Sequence, residues 1–177
     1  MGTALAAAFD TDTALDFETL VHRHQAMVFS IALHFLHDRS AAEELAQDVF
    51  LQLHRHFDAM QSADHVTFWL RRVTTHRCID YSRRRRFNFL RLDAVAEPAA
   101  PMEGAASRDP MLSRRLRALV QTLPPPARMA VILRYQEDLT PEEIARTLDR
   151  PVATVKSQLQ RSLKTLKEKL SKVVSHA

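Results

Sequence analysis

The chain has 177 residues, a formal net charge of +4 and 46% hydrophobic residues, which suits one packed domain or two small ones. It holds only two glycines, so the glycine-rich loops that cradle phosphate are excluded and hairpin-rich sheets are disfavoured. Its one cysteine, Cys78, excludes disulfide frameworks and cysteine-clustered zinc sites. No apolar run approaches the ~20 residues of a membrane span, and the acidic N-terminus is not a secretory signal. We therefore expect a cytoplasmic, largely helical protein with no membrane insertion of its own.

Charge is segregated along the chain. Residues 1–64 carry a net charge of −7, 65–92 of +7, 93–103 of −3 and 104–177 of +7. Two basic blocks separated by an acidic spacer favour two contacts with a polyanion, and the acidic first block favours a different partner. Ordinary solvated helix surfaces explain the same pattern about as well, so charge alone leaves both interpretations open.

The sequence before residue 93 predicts three or four helices, of which three are clear. The first runs from about Asp16 to Leu36. The second begins near Ser40, whose hydroxyl is placed to cap it, with Glu43 closing a capping box. The third runs from about Thr67 to Arg86 and ends in four consecutive arginines. Apolar residues at four-residue spacing give the second helix one buried stripe, formed by Leu45, Val49 and Leu53.

A linker separates this part from the rest. Residues 93–107 are small and contain prolines, without apolar periodicity, which is typical of a linker. Fully extended, such a segment reaches ~50 Å, which exceeds one turn of duplex DNA at ~34 Å. The expected fold class is all-α, with two small helical domains joined by a flexible linker. The boundaries that we predict are an N-terminal tail at 1–15, a first domain at 16–92, the linker at 93–108 and a second domain at 109–177.

The second domain contains the sharpest local signal, a helix-turn-helix that follows two amphipathic helices. Thr140 caps a short helix, Pro141 takes its first position and Glu143 closes a capping box. A break at 149–151 separates it from a longer helix with one polar, basic side. Such a pair of helices is typical of DNA-binding proteins, whereas a plain helical hairpin with a solvated face is the alternative. The apolar stripe expected to face the core in the longer helix is Val155, Leu159, Leu163, Leu166 and Leu170.

Three motifs resemble those of bacterial RNA polymerase sigma factors. AEELAQDVFL at 42–51 is similar to the core-polymerase-binding helix, and WLRRV at 69–73 with DYSR at 80–83 is similar to the −10 recognition segment. EIA at 143–145 with VATVKS at 152–157 resembles the C-terminal DNA-binding domain. Their order, without the domain found between them in larger members, resembles the extracytoplasmic-function (ECF) class. The resemblance implies a dissociable initiation subunit that performs no bond chemistry and needs no cofactor.

The resemblance assigns residues to three surfaces. The polar side of the second helix faces core RNA polymerase, through Glu43, Glu44, Gln47, Asp48 and Leu51. The loop before the third helix and that helix itself meet the melted −10 element, through Met60, Gln61, Trp69, Arg72, His76, Arg77, Arg83 and Arg84. The last helix and its neighbourhood meet the duplex −35 element, through Arg134, Thr154, Lys156, Ser157, Gln158, Gln160 and Arg161.

The implied partners are core RNA polymerase, promoter DNA that is duplex at −35 and single-stranded at −10, and an anti-sigma factor. Trp69 has two interpretations: it stacks on an unpaired base, or it packs in or against the core, which we favour. His76 stands where many family members carry asparagine, and Gln158 where many carry arginine.

Two other classes of protein are weighed against this hypothesis. A stand-alone helix-turn-helix regulator with a helical sensing or dimerising domain predicts duplex binding without polymerase, but it needs neither the acidic helix nor the arginine-rich one. A metal or redox sensor built on the His34/His37 and His54/His56 pairs, or on Cys78, is weaker, because no HExxH motif is present and a lone helical cysteine is usually a packing residue.

Overall fold

The computed structural model describes residues 16–91 and 110–174, and the side chains of 16–85 and 114–171. Every regular secondary-structure element in the described residues is a helix, so the all-α prediction is confirmed. The predicted tail at 1–15 and the whole of the predicted linker lie outside the described residues. The helices in chain order are α1 Phe17–Leu36, α2 Arg39–Arg55, a 3₁₀ turn Phe57–Ala59, α3 Ala63–Arg91, α4 Pro110–Gln121, α5 Pro125–Tyr135, α6 Pro141–Leu148 and α7 Val152–Val174.

The start of α2 differs from the prediction. The backbone of His37 is left-handed (φ 55°), which ends α1 and brings Asp38 directly to the N-cap of the next helix. The Asp38 carboxylate accepts a hydrogen bond from the Ala41 N–H at 3.0 Å. Glu43 instead accepts from Arg39 Nε at 2.9 Å. The capping box predicted at Ser40 is therefore wrong, because the tight turn after α1 places an aspartate at the cap position before the serine is reached.

The capping box of the helix-turn-helix is confirmed. Thr140 Oγ1 accepts from the Glu143 N–H at 3.2 Å, and the Glu143 carboxylate accepts from the Thr140 N–H at 2.8 Å. Pro141 takes the first helical position, where a missing N–H costs nothing. Asp149, left-handed at φ 55°, ends α6. These local features set the direction from which α7 begins at Val152.

The buried stripes follow the helical period. Leu45, Val49 and Leu53 of α2 are buried, as predicted. In α7 the buried positions are Val155, Leu159, Ser162 and Leu166, which follow a period close to 3.6. Leu163 was expected in the core and is 44% exposed, so that prediction is wrong. The small side chain of Ser162 packs against the core at this turn of α7. Leu163 is the next residue and therefore points about 100° away from it around the helix.

Helix α3 is longer than predicted and positions most of the −10 candidates. It spans Ala63–Arg91, 29 residues, which corresponds to about 43 Å. Its first turn is capped by Ser62, whose Oγ accepts from the His65 N–H at 3.1 Å. Thr74 and Thr75 are fully buried, and their hydroxyls donate to the carbonyls of Leu70 at 2.7 Å and of Arg71 at 2.8 Å. Those bonds satisfy the polar groups that the core of the first domain encloses.

The two domains pack against each other. Helices α5 and α6 lie on α3, and α5 also contacts α1. Arg128 of α5 donates to the Phe35 carbonyl at 3.3 Å and lies 4.9 Å from the centre of the Phe35 ring. The buried apolar residues of both domains form one continuous cluster. The domains that the sequence predicted as separate modules therefore share an interface.

No helix within residues 16–91 and 110–174 is both long enough and apolar enough to cross a membrane.

His37 lies beside the contact between the domains. Both ring nitrogens are buried and have no hydrogen-bond partner among the described groups. Burial, with smaller contributions from Arg128, His34 and Arg117, lowers the pKa of His37 from 6.5 to about 4. The ring is therefore neutral in the folded protein near pH 7, and a proton added to it would face the guanidinium groups of Arg128 and Arg117.

We expect His37 to make the protein less stable as the pH falls from 6.5 to about 4. The unfolded chain takes up this proton at its ordinary pKa and the folded chain does not, so acid favours unfolding. A fully buried group with this shift would contribute ~3 kcal/mol, and partial exposure reduces that to about 1–2 kcal/mol. Urea unfolding across this pH range measures it. His37→Asn tolerates the left-handed backbone without titrating, and equal pH slopes for both proteins would contradict the assignment.

Candidate nucleic-acid and polymerase interfaces

A groove of about 840 Å³ runs between α1 and α2. Its floor is apolar, and Leu51 stands at its edge with 57% of its surface exposed. An exposed leucine beside an apolar groove is typical of a surface that a partner covers. We name this surface the docking groove. Its lining is Phe17, Val21, Gln25, Ala26, Phe29, Arg39, Glu43, Ala46, Gln47, Phe50, Leu51 and His54.

The five predicted polymerase-binding residues divide between two sides of α2. Glu43, Gln47 and Leu51, at four-residue spacing, face the docking groove. Glu44 and Asp48 lie about 100° further round and line a polar cavity of about 440 Å³ between α2 and α3. The α3 residues that line the same cavity are Arg77, Asp80, Tyr81 and Arg84. The predicted single polar face is therefore a wide surface with one edge on the groove and the other on α3.

A smaller cavity of about 310 Å³ lies between α2 and α3, and we name it the base-sized cavity. Trp69 forms one wall: its indole is half-buried, and its ring centre lies 5.9 Å from that of His56. The prediction that Trp69 packs in or against the core is confirmed, and part of the ring still reaches solvent. The cavity is at the small end of ligand-sized pockets. It brings together four predicted −10 residues, Trp69, Arg72, His76 and Arg77, with Gln52, Val73 and Asp80.

Sequence reasoning missed Gln52 and Asp80 as candidates for this cavity. Asp80 belongs to the DYSR segment, and Gln52 follows Asp48 by one helical turn of α2. The DYSR motif and the four-residue spacing from Asp48 were therefore the sequence features that could have pointed to these two residues. What the sequence lacked was the crossing of α2 over α3, which brings these two side chains to the same opening.

The arginines of α3 have acidic neighbours. Arg77 lies 3.8 Å from the Asp48 carboxylate, and Arg83 lies 3.8 Å from that of Asp80. All four side chains are substantially exposed, so each pair contributes little to stability and its arginine stays available to another anion. Arg84 lines the polar cavity near Glu44. The backbone of α3 continues through the rest of the four-arginine run.

The loop between α2 and α3 holds the two remaining −10 candidates. Met60 follows the 3₁₀ turn and is half-buried against the core of the first domain. Gln61 is exposed, and its N–H donates to His65 Nδ1 at 3.3 Å. These residues do not line the base-sized cavity. Met60 and Gln61 therefore form a separate part of the predicted −10 surface.

The polar side of α7 presents a mixed set of groups, and we name it the recognition face. Lys156, Gln160 and Arg161 are exposed, while Thr154 and Ser157 are half-buried. Arg161 is held along the helix by bonds to Ser157, from Nε to the carbonyl and from Nη2 to Oγ, both at 3.2 Å. Lys156 pairs with Glu142 of α6 at 2.9 Å. The face combines amides, hydroxyls and cations, the groups that contact base edges and phosphates.

Two predicted −35 residues are turned inward. Arg134 is half-buried and donates from Nη1 to the Leu139 carbonyl at 3.0 Å, which holds the loop between α5 and α6. Gln158 is half-buried, and its Oε1 is enclosed without a hydrogen-bond partner among the described groups. Both side chains are therefore half-buried within the second domain, whereas those of Gln160 and Arg161 are exposed to solvent.

Three of the histidines weighed as sensor residues, and the cysteine, make local contacts in the described part of the chain. His34 Nδ1 bonds to the Ser30 carbonyl at 2.8 Å, and His56 Nδ1 to the Gln52 carbonyl at 2.9 Å. The His54 ring packs edge-on against Phe17 at 5.1 Å. Cys78 is fully buried, and burial raises the pKa of its thiol, which keeps it protonated and unreactive. Residues 16–91 and 110–174 hold no cluster with a metal-binding arrangement.

Both halves of the chain match family models. Residues 20–88 match sigma-70 region 2, and residues 113–166 match sigma-70 region 4. The protein is therefore a sigma factor, a class of transcription initiation factors rather than enzymes.

Comparison with curated proteins gives the subclass. The chain is 33% identical to the ECF RNA polymerase sigma factor SigE of Mycolicibacterium smegmatis, over 97% of this chain and 68% of the relative. It is 25% identical to the ECF sigma factor SigW of Bacillus subtilis, over 87% of this chain and 88% of the relative. The ECF sigma-E factor of Escherichia coli is 28% identical, over 89% and 88%. The chain belongs to the ECF sigma factors.

Solved structures share the fold across both domains. The sigma factor RpoE of Bartonella quintana, solved with the anti-sigma factor NepR, has a TM-score of 0.76 at 19% identity and covers 89% of this chain and 98% of its own. CnrH, solved with the cytosolic domain of CnrY, has a TM-score of 0.64 at 21% identity and covers 88% of each chain. The likeness therefore extends over the described helices of both domains.

Proposed function

We propose that this ECF sigma factor docks on core RNA polymerase through the docking groove, and contacts the −10 and −35 elements through α3 and α7. The observation that carries this assignment is the arrangement on the first domain. An apolar groove with an exposed leucine lies on one side of α2, and a base-sized cavity bordered by arginines lies on the other. One helix therefore joins a protein-binding surface to a nucleic-acid-binding one.

The docking groove suits a helix of the polymerase. Its apolar floor supplies area for hydrophobic burial. The one carboxylate among its described lining residues, that of Glu43, is paired with Arg39, so the preference for a basic partner comes from the two acidic residues further round α2. Glu43, Gln47 and Leu51 lie on this side of α2 and are the contacts that we propose. Glu44 and Asp48 supply negative charge on the side of α2 that faces α3.

The base-sized cavity suits an unpaired nucleotide of the −10 element. A partly exposed indole offers a stacking surface, and arginines beside it attract the phosphates of a single strand. We assign stacking to Trp69, an edge contact to His76, and phosphate contacts to Arg72 and Arg77. The assigned residues beyond the cavity are Met60, Gln61, Arg83 and Arg84.

On the recognition face we assign base contacts to Gln160 and phosphate contacts to Lys156 and Arg161. Thr154 and Ser157 stand beside them as short donors. Gln158 and Arg134 belong to the same predicted surface, and they take part only if their side chains turn outward from the positions described above. Such a face belongs in the major groove of duplex DNA.

The domain boundaries that we propose are region 2 at 16–92 and region 4 at 109–177, with a linker at 93–108. The family models support both domains, since each matched range lies within the proposed one. The protein performs no bond chemistry itself; the polymerase does. We also propose that it works in the cytoplasm, where its polymerase and DNA are.

An anti-sigma factor is a further proposed partner. RpoE of Bartonella quintana was solved with the anti-sigma factor NepR and CnrH with the cytosolic domain of CnrY, and this chain shares their fold. The exposed leucine and the apolar floor of the docking groove offer a partner the same surface that core polymerase needs. Binding there excludes the polymerase by competition.

Reconstituted transcription tests the proposal. We expect core polymerase with the full chain to start RNA synthesis from duplexes selected by that holoenzyme out of a random pool, and core polymerase alone to start none. A stand-alone regulator, the alternative weighed from the sequence, would instead bind duplex DNA without polymerase and give no promoter-dependent transcript. That result would contradict the proposal.

A further inference from the structure

The docking groove lies next to the point where the chain enters α1. Phe17, the first residue of that helix, lines the groove, and its ring packs edge-on against that of His54 at 5.1 Å. At the other end of the groove lies Phe29, whose ring centre is 5.6 Å from the Arg39 guanidinium. Phe17 and Phe29 are twelve positions apart on α1, so the groove extends ~18 Å along the helix. A segment that precedes Phe17 therefore starts at one end of an apolar channel.

The fifteen residues before Asp16 include side chains that such a groove accepts. These residues lie outside the described part of the chain, and their sequence places Leu5 and Phe9 four positions apart with three alanines between them. We name Leu5 and Phe9 the apolar anchors. Residues at this spacing share one side of a helix, and alanine has the highest helix propensity of any residue. The pattern is typical of a short segment that lays one apolar side into a groove.

The segment is long enough to reach any part of the groove. Eight positions separate Phe9 from Phe17, and that stretch spans up to ~26 Å when it is extended. This reach exceeds the ~18 Å of the groove, which leaves length for the chain to reverse direction at the start of α1. Tethering also gives the segment an effective concentration on the order of 1 mM at the groove. A contact too weak to form between separate molecules is therefore populated within one chain.

The charges of the segment and of the groove are compatible. Residues 1–15 carry two carboxylates, those of Asp10 and Asp12, and no lysine or arginine. The one carboxylate among the described lining residues, that of Glu43, accepts a hydrogen bond from Arg39 Nε at 2.9 Å, so its charge is offset. A basic segment would compete with Arg39 for this carboxylate, whereas an acidic one leaves the pair intact.

We propose that residues 5–9 occupy the docking groove in the free protein, with the apolar anchors against its floor and beside Leu51. The segment then covers a leucine that is 57% exposed within the described part of the chain. Core RNA polymerase has to displace it, so the segment lowers the fraction of molecules that are ready to bind. The competition with polymerase rests on the proposed function, whereas occupancy of the groove does not.

Alkylation of a cysteine in the groove measures occupancy without polymerase. Leu51→Cys provides the target in the full chain, and iodoacetamide is the reagent. The native Cys78 is buried, and burial raises the pKa of its thiol, so it does not react. We expect Leu51→Cys to react about three-fold more slowly with the native segment than with Leu5→Asp/Phe9→Asp. That ratio corresponds to a groove that is open in about one third of the molecules.

Two controls isolate the apolar contact. Thr3→Asp/Thr13→Asp adds the same two negative charges and keeps both apolar anchors, so it is expected to protect the cysteine as the native segment does. Ser40→Cys, exposed in α2 and not among the lining residues, is expected to react at one rate with every segment. Equal rates for Leu51→Cys with and without the anchors would overturn the proposal. So would protection that is lost on dilution, since a second copy of the chain would then be the occupant.

Equilibrium binding to core RNA polymerase tests the competition. We expect Leu5→Asp/Phe9→Asp to bind core enzyme about three-fold more tightly than Thr3→Asp/Thr13→Asp does, because more of its molecules present an open groove. Protection of the groove cysteine without this gain in affinity would overturn the competitive role. Loss of core binding by every variant would contradict the proposed function, and with it the competition, while the alkylation result stands by itself.

Discussion

Leu51→Lys is expected to weaken binding to core RNA polymerase ~10–100-fold. Covering an exposed leucine contributes ~1.5–3 kcal/mol, and the new cation repels the basic partner that the acidic residues of α2 favour. Because Leu51 is 57% exposed at the edge of the docking groove, its replacement leaves the core of the first domain intact. The measurement is equilibrium binding to core enzyme without DNA.

The control for this prediction occupies the same position. Leu51→Met keeps an apolar side chain of similar volume and is expected to bind core polymerase as the wild type does. A thermal melt of each variant, followed by circular dichroism, checks that the fold is unchanged. Wild-type affinity in a folded Leu51→Lys variant would contradict the role of the groove. Asp48 is a poorer probe, because it also neighbours Arg77 and changing it disturbs two surfaces.

Lys156→Ala/Arg161→Ala is expected to reduce holoenzyme affinity for a selected −35 duplex about ten-fold at moderate salt. Each lost phosphate contact also reduces the slope of log affinity against log salt by ~0.9, so the double variant should be shallower by nearly 2. Both side chains are exposed on the recognition face. Fluorescence anisotropy at several salt concentrations measures both quantities.

Two further variants separate phosphate contacts from base contacts on α7. Arg23→Ala/Arg55→Ala removes the same charge from exposed positions of the first domain, away from the recognition face, and is expected to keep the wild-type slope. Gln160→Ala is expected to change which duplexes are preferred while the salt slope stays the same. A wild-type slope in Lys156→Ala/Arg161→Ala would remove both residues from the DNA surface.

Much of the fold could be predicted because its signals are local. The stripe Leu45, Val49 and Leu53, and the Thr140 capping box with Glu143, depend on residues within one or two helical turns of each other. The same holds for the motifs that carry the family resemblance. The two mistaken predictions arose where two nearby residues suited the same role. Asp38 caps α2 in place of Ser40, and Ser162 is buried in α7 in place of Leu163.

The sequence by itself determined the class of protein, the helices and the residue types on each surface, since hydrophobic period, capping and short motifs are encoded in consecutive residues. Only the tertiary structure decided how those residues are grouped. The crossing of α2 over α3 sends Leu51 to one side and joins Gln52 and Asp80 to Trp69 on the other. The packing of α6 on α3 pairs Arg72 with Asp149 across 77 positions of the chain. Such pairings depend on the angles at which helices pack. Many side chains set those angles together, so the identity of either paired residue does not predict its partner.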